Sequence, residues 1–400
     1  MKRAFLALSL QLTMVFLFSA CAPSMPHIAE VPEDAIVIQP GETIKIALVT
    51  DLVDGEPGLS RIGIDIRAGA ITAVTTNPFI GDFRIELVPL ETACNEESGQ
   101  TVAEVITSSP EIAAAVGYTC SASCRGSTPV FQDAGLTLMA AGCSDSNLTE
   151  VITHQHAFSR VFYDDRHESR LAADYAFFNM GSRSAIIVQD SSIESQNLSS
   201  GFETVYAMNG GEILAVRTFL PGAGQTSLLM TDILELSPDL IYAPMFPGVS
   251  AEFITELRSR NPNARIMTSR WTWTNWFIDN MMPEHSENIY SVGPIVATDE
   301  LEVLKDAYLR VVPGEQPGVM FAFGYDAASM LIKAIQETAS LNRDGDLVIV
   351  REKVENALHT SVDVEAVTGN LTCTEYGECS ADVLGIGSVQ DGEWVTVFVP

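Results

Sequence analysis

The sequence predicts an α/β protein with two lobes, each built around a mainly parallel β-sheet. Short apolar runs rich in β-branched residues alternate with stretches whose apolar residues recur at helical spacing. Such an alternation of strands and helices predicts parallel sheets with right-handed crossovers. The alternation restarts after residue 164, and a chain of 400 residues is too long for a single core.

The first lobe is predicted from apolar runs that are separated by helical stretches. In one such stretch, Ile62, Ile66, Ala70 and Val74 fall on one helical face. We predict strands at 43–52, 83–92, 111–119 and 136–143, and helices at 61–77, 98–108 and 127–135.

The second lobe is predicted from the renewed alternation, and further elements follow it. A tail at 384–400 predicts two antiparallel strands around the turn Asp391–Gly392. Because elements return after the second lobe, the chain is expected to cross between lobes more than once. Ligands of open parallel sheets bind beyond the carboxyl ends of the strands, here in a shared cleft. The remaining strands are predicted at 184–190, 212–220, 239–246 and 264–270, and the helices at 165–181, 194–210, 226–238, 250–262, 320–340 and 351–360.

The N-terminus has the pattern of an export signal. A short basic segment precedes an apolar stretch that ends in small residues and Cys21. This resembles a bacterial lipoprotein signal, so we predict a signal peptide over 1–20 and lipidation of Cys21. An ordinary signal peptide cleaved nearby is the alternative. Residues 21–43 are rich in proline without a strong period and are predicted to form a tether. The mature protein is then extracytoplasmic and held to the cell membrane only through its lipid.

The charge of the chain excludes one class of partner. The formal net charge is −30 at pH 7. This surplus of negative charge repels nucleic acid and anionic lipid surfaces. It also favours solubility, and its sign does not identify a ligand.

Cysteines point to disulfides rather than to a metal site. Once Cys21 is set aside, an even number remains, which in an exported protein indicates disulfide bonds. No CxxC pair occurs, and His154 and His156 have no third ligand in view, so no metal site is predicted. The remaining cysteines are Cys94, Cys120, Cys124, Cys143, Cys373 and Cys379.

Catalytic and cofactor motifs were not found. The segment GAGQTS at 222–227 lacks the lysine of a phosphate-binding loop. Neither GxSxG nor HExxH occurs. We therefore predict no catalytic residue and no cofactor.

A series of segments, in this order and spacing, carries a resemblance to a known family. The chain resembles the type I periplasmic solute-binding proteins, in particular the branched-chain amino-acid-binding proteins of bacterial ABC importers, over nearly all of residues 43–400. The segments are IKIALVTDL, FRIELVPLETACN, AAAVGYTCSAS, FQDAGLTLMAAGCSDSNLT, SPDLIYAPMF, FAFGYDAASMLIKAI and GNLTCTEYGEC.

The resemblance implies two Rossmann-like lobes joined by three hinge crossovers, which close around a small ligand. It places the crossovers near 160–164, 292–298 and 366–372. Lobe 1 would then comprise 44–162 and 296–366, and lobe 2 would comprise 163–295 and 367–400.

The same resemblance implies a pairing of the cysteines. It implies a bridge between Cys94 and Cys120. Cys373 and Cys379 flank a short loop and are expected to pair locally. This leaves Cys124 and Cys143 on neighbouring loops, where a third bridge is plausible.

The resemblance also implies a carboxylate site in two loops of lobe 1. The matching positions are Ser121, Gly142 and Ser144, which are small or carry hydroxyls. Backbone N–H groups and hydroxyls are fixed neutral donors for a ligand α-carboxylate, and helix N-termini after both loops add a favourable dipole. The alternative is that these residues form plain strand-to-helix turns. Tyr118 and Tyr325 are further cleft candidates by position, although Tyr325 also fits a core position.

Lobe 2 departs from the family pattern, in which an aromatic hydroxyl and a carboxylate hold the ligand ammonium. The expected tyrosine falls at Glu194, the expected aromatic residue at Met245 or Phe246, and the expected acid at Arg270. Because a guanidinium cannot bind an ammonium, three alternatives stay open. Glu194 replaces the acid with Arg270 paired to it, and the ligand is an amino acid; Arg270 holds a second anionic group; or Arg270 points to solvent. The tryptophans of RWTWTNWF (270–277) either form an apolar wall for the ligand or pack against lobe 2.

These features predict an extracytoplasmic solute-binding lipoprotein and not an enzyme. It is expected to capture a small carboxylate-bearing ligand, an amino acid or a related acid, and to deliver it to an ABC permease. The ligand would stabilise closure by bridging both lobes. A ligand sensor of the same fold that signals to a receptor is the alternative, and an enzyme on the same scaffold is a third.

Overall fold

The structure is a computed structural model that describes residues 25–52, 58–222, 226–296, 298–381 and 384–400. The predicted signal peptide, 1–20, and the predicted lipidation site, Cys21, lie outside these residues. Among the described helices, none combines the length and the apolar character needed to cross a bilayer.

The chain up to residue 160 alternates strands and helices. A 3-10 turn, Ser146–Leu148, follows the sixth strand. The strands are β1 (Ala35–Ile38), β2 (Thr43–Asp51), β3 (Phe79–Ile80), β4 (Phe83–Thr92), β5 (Ile112–Gly117), β6 (Leu138–Ala140) and β7 (Phe158–Arg160). The helices are α1 (Leu59–Thr76), α2 (Glu96–Thr107) and α3 (Ser121–Asp133).

The middle of the chain repeats this alternation. A π-helical turn, Tyr175–Asn179, extends the first helix, and a 3-10 turn, Arg270–Thr272, follows the fourth strand. The helices are α4 (Asp165–Asp174), α5 (Ile193–Met208), α6 (Thr226–Leu236), α7 (Pro247–Arg260), α8 (Asn275–Asp279) and α9 (Pro283–Ser286). The strands are β8 (Ser184–Gln189), β9 (Glu212–Thr218), β10 (Leu240–Tyr242), β11 (Ile266–Thr268) and β12 (Ile289–Pro294).

The last part of the chain supplies elements to both lobes. Its helices are α10 (Thr298–Val311), α11 (Met320–Thr338) and α12 (Arg351–His359). Its strands are β13 (Ser340–Leu341), β14 (Leu347–Val350), β15 (Val364–Ala366), β16 (Gly369–Leu371), β17 (Leu384–Gln390) and β18 (Glu393–Phe398).

Each lobe is organised by one sheet, as the fold class predicts. In lobe 1 the described strands lie in the order β3-β4-β2-β5-β6-β7, and all neighbours except β3 and β4 are parallel. In lobe 2 the order is β18-β17-β12-β11-β10-β8-β9. The central strands of both sheets are buried on both faces, which explains their continuous apolar runs. The predicted C-terminal hairpin is confirmed, because β17 and β18 pair antiparallel around Asp391–Gly392.

The chain passes between the two sheets after β7, after β12 and before β17. The third passage falls after Cys379, which is later than the expected 366–372. The reason is that the loop 373–379 pairs with lobe 1: Arg160 N–H donates to the Gly377 carbonyl at 2.9 Å, and Cys379 N–H donates to the Arg160 carbonyl at 2.9 Å. The segment Gly377–Cys379, which was expected to belong to lobe 2, therefore contacts the edge of the lobe 1 sheet.

The prediction of a tether over 21–43 is wrong for its described part. β1 pairs antiparallel with β14 over four residues, and β13 completes a small separate sheet. Ile36 and Ile38 are buried in the main core. The backbone near Ile28 also bonds to Leu341. All four residues of Ala35–Ile38 are apolar, and because side chains alternate along a strand, Ile36 and Ile38 share the buried face.

Candidate binding cleft

The turn after β5 starts helix α3 earlier than the sequence predicts. The helix was expected at 127–135 but begins at Ser121. Gly117 and Tyr118 both have positive φ, at 125° and 58°, and reverse the chain sharply. Asp51 at the end of β2 then accepts hydrogen bonds from the N–H groups of Thr119 (2.6 Å) and Cys120 (3.0 Å). A buried carboxylate at a helix N-terminus is favourable there, which fixes where α3 begins.

The two predicted ligand loops of lobe 1 lie against each other. Ser121 Oγ accepts hydrogen bonds from the N–H groups of Ser144 (2.9 Å) and Asp145 (3.0 Å). A Cβ at Gly142 would lie 2.7 Å from the Thr119 carbonyl oxygen, so only glycine fits this approach. The small residues are therefore required by the packing of loop on loop, whatever they bind.

Disulfides fasten both loops, one being the bridge that the resemblance implies and the other the plausible third bridge. The structure contains Cys94–Cys120 and Cys124–Cys143, with sequence separations of 26 and 19 residues. Cys373–Cys379 closes the loop that pairs with β7. In the chain-entropy description, each of the two longer closures contributes about 3 kcal/mol.

The side chain of Arg160 supports the loop after β6, a role that the sequence did not indicate. Its side chain is fully buried and donates to the carbonyls of Cys143 (3.2 Å) and Asp145 (2.8 Å). It forms an ion pair with Glu378 at 2.5 Å. The guanidinium therefore holds the loop carbonyls and the loop 373–379 together.

Arg270 of lobe 2 contacts the loop of lobe 1 that carries Ser144. Its side chain is buried, with the residue 5% exposed. It forms an ion pair with Glu168, a second with Asp165 at 3.2 Å, and donates to Ser144 Oγ across the lobes. The backbone N–H of Arg270 also donates to Glu168 Oε1 at 3.0 Å. The alternative in which Arg270 points to solvent is therefore wrong.

Glu194 reaches lobe 1 from the first turn of α5. The residue is 1% exposed, and its Oε1 accepts a hydrogen bond of 3.1 Å from the N–H of Ala122. Its position depends on Ser192, which caps α5 by accepting from the N–H of Ser195 at 3.1 Å. No hydrogen bond or ion pair joins Glu194 to Arg270 among the described residues, so the pairing contained in the first of the three alternatives is not formed. Arg270 instead takes its carboxylates from helix α4.

Burial has the largest single effect on the pKa values of the acidic side chains around Arg270. It raises the pKa of Asp165 to about 6 and that of Glu194 to about 7, in both cases against a smaller opposing effect of the Arg270 charge. Burial also raises the pKa of Glu168, which Arg270 opposes. For Arg270, burial acts to lower the pKa, but the charges of Glu168 and Asp165 outweigh it and raise the pKa. We define these four residues together with Ser121 and Ser144 as the cleft cluster.

Two buried tyrosines stand beside the cleft cluster. Among the described residues, the hydroxyls of Tyr163 and Tyr242 have no hydrogen-bond partner. Burial, with the charge of Glu168, raises the pKa of each hydroxyl, so both are neutral donors. Sequence reasoning missed them because their apolar neighbours in Phe162–Tyr163 and Leu240–Tyr242 resemble ordinary core.

The other predicted cleft residues fall into two groups, one beside Arg270 and one in the core. Phe246 occupies the N-cap position of α7 without a side-chain capping bond, and packs edge-to-face on Trp271, with ring centroids 5.1 Å apart, next to Arg270. Tyr118 is fully buried in an apolar core cluster that also contains Cys124 and Phe131 of α3. Tyr325 packs on the main core from α11. The structure therefore places Tyr118 and Tyr325 in the core and not in the cleft cluster.

Two cavities open between the lobes. One of about 460 Å³ adjoins the cleft cluster at Asp165 and is lined by polar residues of both lobes, including Asp145, Ser169 and Asn197. Another of about 800 Å³ is lined from lobe 2 by Trp273, Trp276 and Trp394 and from lobe 1 by Arg61, Asp65 and Met320. Both volumes are in the range of small-molecule sites.

Ligand atoms of metal-binding type converge at one place in the described part of the chain, where Glu194 approaches Cys94 and Cys120. Both sulfur atoms are engaged in a disulfide and are not thiolates. This group is therefore not suited to a metal.

Comparison with known proteins gives a consistent result. A family model described as periplasmic binding protein matches residues 43–380. The fold is similar to the leucine-binding protein LivK of Thermotoga maritima, at 19% identity and TM-score 0.78, covering 89% of this chain and 98% of that one. It is also similar to LivJ of Streptococcus pneumoniae in complex with isoleucine, at 18% identity and TM-score 0.77, covering 89% and 100%. A third is a solute-binding protein of an ABC transporter from R. palustris in complex with benzoate, at 16% identity and TM-score 0.76, covering 89% and 96%. No curated protein matches the chain in sequence.

Proposed function

The chain belongs to the periplasmic binding protein family, and on that premise we propose that it captures a small carboxylate-bearing solute between its lobes, outside the cytoplasm. We further propose that it is anchored through a lipid on Cys21 and delivers the solute to an ABC permease. No bond of the solute is made or broken.

One observation carries the proposal: the polar groups of the two lobes meet at the carboxyl ends of their strands. Glu194 of lobe 2 bonds to the start of α3, and Arg270 of lobe 2 bonds to Ser144 of lobe 1. The Glu194 carboxylate thus accepts a hydrogen bond at the start of α3, where the helix dipole favours an anion. Relatives of this fold hold isoleucine and benzoate, which share a carboxylate. We propose that the ligand carboxylate takes the place of the Glu194 carboxylate at α3.

The charges of the cleft cluster favour an amino acid over a simple acid. Arg270 already binds Asp165 and Glu168, so it offers no free positive charge to a second anion. Glu194 brings a third carboxylate, while Arg270 is the only cation of the cleft cluster. Ionisation of all three acids would therefore leave a surplus of negative charge, and burial raises the pKa of Glu194 to about 7. A ligand ammonium beside Glu194 would compensate this surplus, since a buried charge requires a partner.

A ligand panel tests the proposal. The purified chain is screened by thermal shift with aliphatic, aromatic, acidic and basic amino acids and with the matching carboxylic acids without an amino group. A ligand present at a hundred times its dissociation constant stabilises by about 2.7 kcal/mol, which is readily measured. We expect an amino acid to bind and its deaminated analogue to bind at least tenfold more weakly. Binding of simple acids alone would contradict the role of Glu194.

Anchoring and delivery need separate measurements. Mass spectrometry of the N-terminal peptide tests for lipid on Cys21, and Cys21→Ser should release the protein from membranes. Where an ABC permease is encoded beside this protein, reconstitution of the two should give ATP-dependent uptake of the ligand found above. Ligand binding without any uptake by a neighbouring permease would favour the sensor alternative instead.

A further inference from the structure

We propose that lobe 1 carries a site for a divalent transition-metal ion such as Zn²⁺, formed by His154, His156, Glu355 and His359. We call these residues the histidine cluster. It shares no residue with the cleft cluster. The sequence gives only the pair His154 and His156, and the fold adds a third imidazole and a carboxylate from helix α12.

The spacing on α12 suits a shared ligand. Glu355 and His359 are four residues apart on one helix, so their side chains lie on the same face, one turn apart. His156 Nδ1 lies 3.9 Å from Glu355 Oε1. Three imidazoles and one carboxylate form a four-ligand set of the type that zinc prefers.

Two neighbouring pairs of rings lie near the spacing that a shared ion requires. The ring centroids of His154 and His156 are 5.1 Å apart, and those of His156 and His359 are 5.8 Å apart. A Zn–N bond of about 2.0–2.1 Å places two imidazole centroids on one tetrahedral ion about 5 Å apart. The ligand atoms do not yet converge on one point, but the side chain of His156 is 61% exposed and is free to rotate into place.

The hydrogen bonding of His154 leaves one ring nitrogen available. His154 Nδ1 lies 3.2 Å from the carbonyl oxygen of Glu150 and 3.1 Å from that of Val151. A carbonyl only accepts, so Nδ1 carries the proton and Nε2 keeps its lone pair. A backbone carbonyl that orients the outer nitrogen is the usual support of a metal-binding histidine.

His359 is also suited to act as a neutral ligand. Its Nε2 is buried and has no hydrogen-bond partner among the described residues. A bound cation would accept the lone pair of this buried nitrogen and so satisfy it.

Titration with ZnCl₂ tests the site. The full chain is stripped with EDTA, exchanged into a buffer that does not chelate, and titrated at pH 7.5 by calorimetry. We expect one ion per chain, a rise in Tm with zinc, and loss of binding below about pH 6, where imidazoles take up protons. Absence of stoichiometric binding would overturn the proposal.

Matched variants identify the ligands. His359→Gln and Glu355→Gln should each weaken zinc binding at least tenfold, and so should His156→Gln, whose exposed position spares the fold. His285→Gln, in α9 of lobe 2, should leave affinity within about twofold. If the α12 variants, shown to be folded by their Tm in EDTA, bind zinc as well as the unchanged protein, then only the surface histidine pair binds and the proposal is wrong.

Discussion

Arg270 is the residue on which the contact between lobes depends. Its guanidinium holds two carboxylates of α4 and one hydroxyl of lobe 1, all of them buried. Buried ion pairs gain little over apolar contacts, but removing one partner is costly because it leaves a buried charge without compensation. The residue that looked anomalous in the sequence is therefore the cation that permits Asp165 and Glu168 to be buried.

Replacement of this cation should be strongly destabilising. We expect Arg270→Met to lower the free energy of unfolding by about 3–5 kcal/mol, since Glu168 and Asp165 lose their counter-charge. Arg217→Met is the matched control, because the Arg217–Asp232 pair is exposed and such pairs contribute about 0–1 kcal/mol. Urea denaturation at pH 7.5 measures both, and equal small effects would show that Arg270 is not needed for folding.

Glu194 should act on binding rather than on folding. Glu194→Gln keeps an oxygen to accept the Ala122 N–H but removes the charge proposed to face the ligand ammonium. Charged hydrogen bonds contribute about 1.5–3 kcal/mol, so affinity for the amino acid should fall at least tenfold with Tm unchanged or slightly raised. The control is Glu203→Gln, exposed on the same helix. Unchanged affinity in the Glu194 variant, measured by calorimetry, would remove Glu194 from the site.

At the scale of elements, the loops after β5 and β6 form one unit. Ser121 Oγ binds the second loop, Gly142 allows the close approach, and two disulfides fasten the first loop to α2 and the second to α3. Because the donors of this unit are held in place before a ligand binds, binding costs little conformational entropy.

The N-terminal strand β1, in contrast, depends on a distant partner. This segment has no evident period in the sequence and gains its structure from pairing with β14.

The strand β1 should contribute to stability. Ile38 is 4% exposed, so Ile38→Ala should lower the free energy of unfolding by about 2–5 kcal/mol. Val37→Ala on the same strand, 42% exposed, should change it by about 0.5 kcal/mol or less. Denaturant unfolding distinguishes the two, and a neutral Ile38 variant would restore the interpretation of this segment as a tether.

For the whole molecule, the surplus of acidic groups should make stability depend on pH. Burial raises the pKa of Asp51, Asp65 and Asp165 to about 6 and that of Glu194 to about 7. The folded state then keeps protons that the unfolded chain releases near pH 4. This stabilisation is fully present below the unfolded pKa values and is lost as pH rises through 6 to 7.

We therefore expect the Tm of the ligand-free protein to be higher at pH 5 than at pH 8. The net charge of −30 acts in the same direction, because protonation of carboxylates reduces repulsion. Asp164 does not disturb this window: burial acts to raise its pKa, but the His167 hydrogen bond and the Arg160 charge outweigh it, so the group titrates at lower pH. Calorimetric scans between pH 4.5 and 8 measure the trend, and a Tm that rises with pH would contradict it.

The sequence by itself determined the order and type of most elements, because hydrophobic periodicity is a local property. It gave the two alternating halves, the C-terminal hairpin, the local pair Cys373–Cys379 and, through a resemblance, the pair Cys94–Cys120. It misplaced the start of α3 and the limits of the tether, since both depend on partners that lie far along the chain, namely Asp51 and β14.

Only the tertiary structure decided which polar groups meet. Arg270 lies 102 residues from Glu168 and 126 from Ser144, and His359 approaches His156 from a distant helix. No local pattern encodes such pairs, because a buried charge takes whichever counter-charge the fold brings within a few ångströms. The physical reason is that a charge buried without a partner costs free energy. Its partner comes close only when both lobes have folded and come together.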